Sequence, residues 1–149
     1  MKTYVGLIFF LFSSLAFNAE VRAGDEKNDE VAKDCTNILL KGSYAFYQVG
    51  EVVGKGPAAD VGILNADGKG TFTGEETVHV GSSVFKIIFM DGTYQIDPNC
   101  TGTLRWIAVL ENGPSIGERT ATITIAKRSK EVYVLSTAPG SVLVGVAKQ

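Results

Sequence analysis

The chain is poor in the residues that most enzyme chemistry uses. Its 149 residues include one histidine, two cysteines, one tryptophan and four prolines. One histidine, with no free cysteine if the two present are paired, excludes most His-based nucleophile and zinc schemes. No Cys-x-x-Cys is present, so thioredoxin-like redox work has no support. No P-loop is present either. Lys55-Gly56-Pro57 and Gly68-Lys69-Gly70 are Gly-rich but lack its length and its trailing Ser/Thr, and they read as loops. There is no excess of positive charge, with 14 Lys and Arg against 16 Asp and Glu. A mildly acidic chain has no electrostatic reason to seek nucleic acid, and no polybasic segment marks a membrane surface. No cofactor or metal is implied by any spacing.

Only the N-terminus carries a long apolar run, and it has the three parts of an export signal. Lys2 supplies the positive start, residues 5–17 the apolar stretch, and Val21-Arg22-Ala23 the small or medium residues before a cut after Ala23. A cut after Ala19 is the earlier option. The rival is an uncleaved anchor, but a spanning helix needs about 20 apolar residues and this run is shorter. No Cys stands near the cut to carry a lipid. Cleavage would remove Lys2, Glu20 and Arg22 and leave 12 basic and 15 acidic residues, starting at Gly24. Residues 24–34 are charged and almost free of apolar side chains, and they read as a solvated leader. The implied organisation is a signal peptide over 1–23, this leader, and one domain over 35–149 in a secreted or periplasmic protein. In that compartment the even pair Cys35 and Cys100 implies a disulfide, with two free buried thiols as the alternative.

From Cys35 onward Thr, Val, Ile, Phe and Tyr dominate, with turn residues at short intervals. The pattern predicts eight strands, over 41–49, 61–66, 70–80, 84–96, 102–111, 117–126, 131–137 and 142–148. Asp67-Gly68 is the strongest hairpin signal. Gly81-Ser82-Ser83, Asn112-Gly113-Pro114, residues 127–130 and Pro139-Gly140-Ser141 are further turns, and Pro98 ends the fourth strand. Eight successive strands with tight turns predict an all-β, antiparallel, up-and-down eight-stranded β-barrel, the simplest way to remove exposed edges. A two-sheet sandwich is the alternative.

Alternation assigns the faces. In the sixth strand Ala121, Ile123 and Ile125 should be core and Thr120, Thr122 and Thr124 should see water. In the third strand Phe72, Gly74, Glu76, Val78 and Val80 oppose a polar face that includes the lone His79, a surface histidine on this reading. The fourth and fifth strands break the rule. Met90, Tyr94 and Ile96 share one face, whereas Phe85, Ile87 and Phe89 share the other. Leu104, Trp106, Ala108 and Leu110 oppose Ile107 and Val109. One explanation places Phe85, Ile87, Phe89, Ile107 and Val109 on an outer patch that buries itself by homo-oligomerisation. The other is a bulge within residues 86–90 that shifts the register.

The segment from residue 35 to the end resembles a bacterial group of small exported domains with the allene-oxide-cyclase-like barrel. The carrying residues are Leu40-Lys41-Gly42-Ser43-Tyr44-Ala45-Phe46, then Gly62-Ile63-Leu64-Asn65-Ala66-Asp67-Gly68-Lys69-Gly70. They continue with Gly92-Thr93-Tyr94, Asp97-Pro98-Asn99-Cys100-Thr101-Gly102-Thr103 and Ser136-Thr137-Ala138-Pro139-Gly140-Ser141-Val142-Leu143. These are mainly turn and barrel-closing pieces and speak to fold. The resemblance implies a barrel with an apolar pocket. Plant allene oxide cyclases, which such barrels resemble, cyclise an unsaturated fatty-acid epoxide in such a pocket. Dirigent-like and lipocalin-like binders share the shape.

Within such a barrel Glu76 is the most informative residue, because a carboxylate on an apolar face is costly unless paired. If Ser82-Ser83 make the turn, Lys86 lies close to diagonal from Glu76 across the hairpin, as a rim salt bridge or as a polar point in a cavity, with a one-residue register error in the faces as the alternative. Glu75-Glu76 is a pair in sequence only, since strand neighbours point to opposite faces. Phe72, Met90, Tyr94 and Trp106 are the further side chains expected to line or plug the interior. The function these features favour is non-enzymatic: binding of a small apolar ligand, or a structural self-associating role. The alternative is an isomerase or cyclase acting on a lipid-like substrate.

Overall fold

Alternating β-branched and polar residues, interrupted by Gly, Asn, Asp and Pro, form eight strands in a computed structural model that describes residues 34–126 and 130–149. The expected signal peptide, and the leader up to residue 33, lie outside the described residues. The strands are β1 Lys41–Val52, β2 Gly56–Asp67, β3 Thr71–Val80, β4 Ser83–Ile96, β5 Thr101–Leu110, β6 Ser115–Ala126, β7 Glu131–Ser136 and β8 Ser141–Lys148. Each pairs antiparallel with its neighbours in sequence, and β8 returns to β1, so the sheet is a closed eight-stranded barrel. All eight expected strands are present. The first two run longer than their apolar pattern, because the β1–β2 ladder continues to Val52 and Gly56.

Two hairpins explain how the ladder is registered. Gly81 has φ 59°. It sits first in the two-residue turn between Val80 and Ser83, the position where a II′ turn needs positive φ. Asp67 works through its side chain instead. Its Oδ1 accepts from the backbone N–H groups of Lys69, Gly70 and Thr71 at 2.7–3.0 Å, and Oδ2 accepts from the Thr71 hydroxyl. Such side-chain turns are the reason Asp is favoured at these positions. Led by the Lys69 bond, these contacts hold the Asp67 carboxyl well below the usual carboxylate range.

The fourth strand carries a bulge. Met90 pairs with Ile107 and Thr93 with Arg105, so β4 takes three steps where β5 takes two. Asp91, within the bulge, has φ 54°. The same extra residue appears against β3, where Phe72 faces Gly92 and Gly74 faces Phe89. It reverses the face of everything beyond it. Ile87 and Phe89 before the bulge and Tyr94 and Ile96 after it are therefore all buried inside. This corrects the outer-patch assignment. Ile87 and Phe89 are core, and Phe85 turns to the barrel interior near one end. Met90, expected inside, is 49 % exposed on the outside. Of the five patch residues only Ile107 and Val109 face outward, half-buried beside Met90 and Ile88.

The two ends of the barrel differ. At one end the segment before β1 folds under the strands, with a 3-10 turn at Asn37–Leu39. Leu40 and Tyr44 are buried there. The Tyr94 hydroxyl donates to the Leu40 carbonyl at 2.8 Å, and Asn37 Oδ1 accepts from the Ile96 N–H at 2.8 Å. Cys35 and Cys100 form the expected disulfide, with Cα atoms 5.0 Å apart, and Cys35 is core. Above this plug lies an aromatic layer. The Phe89 ring centroid lies 6.1 Å from that of Phe46, 6.3 Å from that of Phe72 and 5.3 Å from that of Trp106. These are the separations at which aromatic pairs attract beyond their burial. Two of these rings lie over cross-strand glycines, a common reason for Gly inside a strand. Phe46 faces Gly62 and Phe89 faces Gly74. A Cβ at either glycine would come within 2.7 Å of the ring. The opposite end, ringed by the turns at 53–55, 81–82, 111–114 and 137–140, has no such plug among the described residues.

The disulfide closes a separation of 65 residues and ties the plug to the β4–β5 turn. Replacing both cysteines by alanine should lower unfolding stability by about 4 kcal/mol on the chain-entropy model. Chemical denaturation of the oxidised protein and the double variant checks this, and equal midpoints would show the staple to be energetically idle.

Candidate functional site

The unplugged end holds a cavity of about 450 Å³. Its upper walls are apolar, from Val52, Val80, Phe85, Leu110, Ile116 and Leu143. Deeper, the inward positions turn polar. Gln48 on β1 lies opposite Asp60 on β2, Asp60 lies opposite Val78 on β3, and Glu76 follows two residues along from Val78. Asp60 and Glu76 are thus diagonal neighbours on one inner face. Arg119 on β6 points inward beside Trp106, its cross-strand partner on β5. Below this belt the aromatic layer forms the floor, with only a 40 Å³ void among Phe46, Phe72, Phe89 and Leu104.

The belt is short of partners. Asp60 is 4 % exposed, and its Oδ1 has no hydrogen bond. Trp106 Nε1 is likewise buried without an acceptor. Among the described residues the ion pairs are Lys86 with Glu75 and Glu111, Arg105 with Glu118, and Lys148 with Glu131, and none reaches Asp60 or Glu76. Arg119 instead donates through Nη1 to the Glu118 carbonyl at 3.1 Å. Ser136 and Ser141 bond each other at 3.0 Å, so their hydroxyls are engaged.

Burial sets the protonation of the two acids. Desolvation pushes Asp60 up to about 7, against a hydrogen bond from the Gln48 backbone. Glu76 is pushed up to about 8, first by burial, then by the charge of Asp60, with Arg119 pulling the other way. Two carboxyls that cannot both ionise cheaply near neutrality, in a cleft, are what functional acids look like. Among the described residues no group of three or more His, Cys, Asp or Glu could hold a metal ion.

The expected interior residues divide three ways. Glu76 and Trp106 line the cavity. Phe72 and Tyr94 are inside but lower, Phe72 in the floor and Tyr94 in the plug. Met90 and Lys86 are outside. The hairpin turns at Gly81-Ser82, one residue earlier than Ser82-Ser83, which sets Lys86 opposite Thr77 on the outer face and leaves Glu76 opposite Ile87. Lys86 binds Glu111 at 3.0 Å and Glu75 at 3.6 Å. The expected Glu76–Lys86 pair is therefore absent. His79 stands exposed on the outer face, as expected.

The sequence pattern misses Asp60 and Arg119. Both obey the period of two that assigns their neighbours. Asp60 precedes Gly62 and Leu64 by even steps, and Arg119 precedes Ala121. The signal is lost because Asp60 lies close to Gly56-Pro57, which reads as a loop, and because a charged residue extends an apolar series poorly.

No family model, curated protein or solved structure matches the chain.

A raised folded-state pKa means that the folded protein holds its proton to higher pH than the unfolded chain. Unfolded carboxyls titrate at about 4. Stability should therefore fall as pH rises from there to the folded values of about 7 for Asp60 and about 8 for Glu76. The double variant Asp60→Asn, Glu76→Gln should lose much of that decline. Denaturation midpoints at about pH 5 and about pH 8 test it, and an undiminished decline in the variant would exclude these two acids as its source.

Proposed function

We propose that this is an exported barrel that holds a small, largely apolar ligand in its open end and releases it unchanged. The observation that carries the reading is the cavity of about 450 Å³, with an apolar collar over a few convergent polar groups. Small-molecule sites typically start at roughly 300 Å³ and have this mixed lining. Export is supported by the signal-like N-terminus and by the disulfide, which persists in an oxidising compartment. Binding without chemistry is supported by the lining hydroxyls, since Ser136 and Ser141 bond each other and not a base. A second reading, the isomerase or cyclase that the sequence resemblance implies, is favoured by Asp60, an acid of pKa about 7 suited to moving a proton.

Trp106 is the one tryptophan and lines the cavity, so it reports occupancy directly. N-Phenyl-1-naphthylamine, a non-basic apolar fluorophore, should brighten saturably and take energy from Trp106. Val80→Trp should fill the collar and abolish uptake while the β-sheet circular dichroism is kept. No saturable signal with the unmodified protein, or undiminished uptake by a folded Val80→Trp variant, would sink the reading. Recovery of a lipid-like substrate in altered form would favour the isomerase.

Self-association, placed by sequence on β4 and β5, is better supported on the other side of the barrel. On β7, β8, β1 and β2 the outward residues include Leu135, Val144, Tyr47, Val49, Val61 and Ile63, each 46–60 % exposed. The registers place them side by side: Leu135 faces Val144, Val144 faces Val49, and Tyr47 faces Val61. Strands about 4.8 Å apart with about 3.3 Å per residue make this face roughly 20 by 20 Å. A face of about 400 Å² is of the size at which a monomer's largest patch is often functional. The ion pair at its edge, Glu131 with Lys148, carries no net charge to repel a second copy. A two-fold contact between two such faces closes without leaving a sticky surface. Sedimentation should show dimers at tens of micromolar, and Val61→Lys with Val144→Lys should return a folded monomer. An unmodified protein that stays monomeric at about 100 μM would exclude this contact.

A further inference from the structure

We propose that the ligand is an amphipathic amine whose ammonium group seats between Asp60 and Glu76 while its apolar body lies in the collar above them. This rests on the small-ligand reading of the same cavity and adds the chemistry of the head group.

Three observations point to a cation with several donors. First, Asp60 Oδ1 is an acceptor inside the barrel with nothing to accept from, in a residue only 4 % exposed. Such an atom is costly unless something in the occupied state supplies a donor. Second, another carboxyl, Glu76, stands diagonal to it on the same inner face, and its strongest charged neighbour is Asp60 itself. Third, no protein cation forms an ion pair with either acid among the described residues, and the charge of Arg119 offsets only part of the rise in the Glu76 pKa. The charged lining residues are Lys55, Asp60, Glu76 and Arg119. Lys55 belongs to the turn at the mouth. Arg119 gives a donor to the Glu118 carbonyl and is absent from the ion pairs of the described residues.

Other head groups fit less well. A carboxylate would meet two acids at the bottom of the cavity, with Arg119 alone to oppose them. A hydroxyl has one proton to give and would leave one acid unserved. A bare divalent ion would find two carboxylates, short of the set that holds a metal among the described residues. An ammonium carries three donors and the opposite charge, and it lets both acids ionise. The layering suits entry head first, since the polar belt lies below the apolar collar of Val80, Phe85, Leu110 and Leu143. Trp106 Nε1 is left to meet an oxygen on the ligand body.

Calorimetric titration at about pH 7 with n-decylamine, 1-decanol and decanoate, all below their aggregation limits, separates the cases. Decylamine should bind about tenfold tighter than decanol or more, the factor a charge-assisted hydrogen bond confers, and decanoate should bind weakest. Its binding should release protons, read as a heat that changes with the ionisation enthalpy of the buffer. Asp60→Asn, and separately Glu76→Gln, should reduce decylamine affinity about tenfold while the β-sheet circular dichroism is kept. Decanol or decanoate binding as tightly as the amine, or amine affinity untouched in both variants, would overturn the head-group assignment and leave the apolar site standing. Failure of the fluorophore itself to bind the unmodified protein would instead remove the site on which the assignment rests.

Discussion

The pairing of β1 with β8 is the contact on which the remaining features depend. Without it the eight strands are an open meander with two bare edges. With it the period of two along every strand becomes a choice between inside and outside, and the inside acquires a fixed width. A barrel of eight strands is just wide enough to be filled by side chains or to hold one small molecule. This chain has room for both, at different depths. The 3-10 segment, Tyr44, Tyr94 and the Cys35–Cys100 bond close one end, the rings of Phe46, Phe72, Phe89 and Trp106 fill the middle, and the other end stays hollow. The glycines opposite Phe46 and Phe89 belong to the same fit, since they let large rings lie flat on the wall.

The hollow end costs stability. Two acids sit where water cannot fully reach them, one with an oxygen that has no partner. A barrel selected for stability alone would place apolar residues at Asp60 and Glu76, as it does one layer up at Ala58 and Val78. Departures from such local consistency concentrate at functional sites. The outer surface is uneven in the same way. Threonines cover β3 and β6, whereas valines, tyrosines and a leucine cover β7, β8 and the adjoining parts of β1 and β2.

The position of a single residue separates the expected faces from the observed ones. Phe85, Ile87 and Phe89 alternate out of phase with Tyr94 and Ile96, and the pattern alone allows two meanings, a sticky outer patch or a bulge. The bulge is present, at Met90–Thr93, a few residues beyond the stretch that invites it. Once it is counted, both halves of β4 point inward, and Met90 is displaced to the outside. The Glu76–Lys86 pairing fails on parity. Across a two-residue turn an even-numbered residue faces an odd-numbered one, so Glu76 meets Ile87 on the inside and Lys86 meets Thr77 on the outside.

Local features are legible in the chain alone. The number of strands, their approximate limits, the turns between them and the inward set on β3 and β6 follow from side-chain period and turn chemistry, which act within a few residues. Glu76 is legible as an interior carboxylate on those grounds. The cysteine pair is legible from count and expected compartment. Register and depth belong to the tertiary structure. Whether the extra residue of β4 sits at Asp91 depends on what β3 and β5 can accommodate opposite it, and its positive φ is held by those ladders. Which end of the barrel is plugged depends on where the segment before β1 folds back. That Asp60, Glu76 and Arg119 share one belt depends on three strands meeting around a closed circumference, a distance in space that no spacing along the chain encodes.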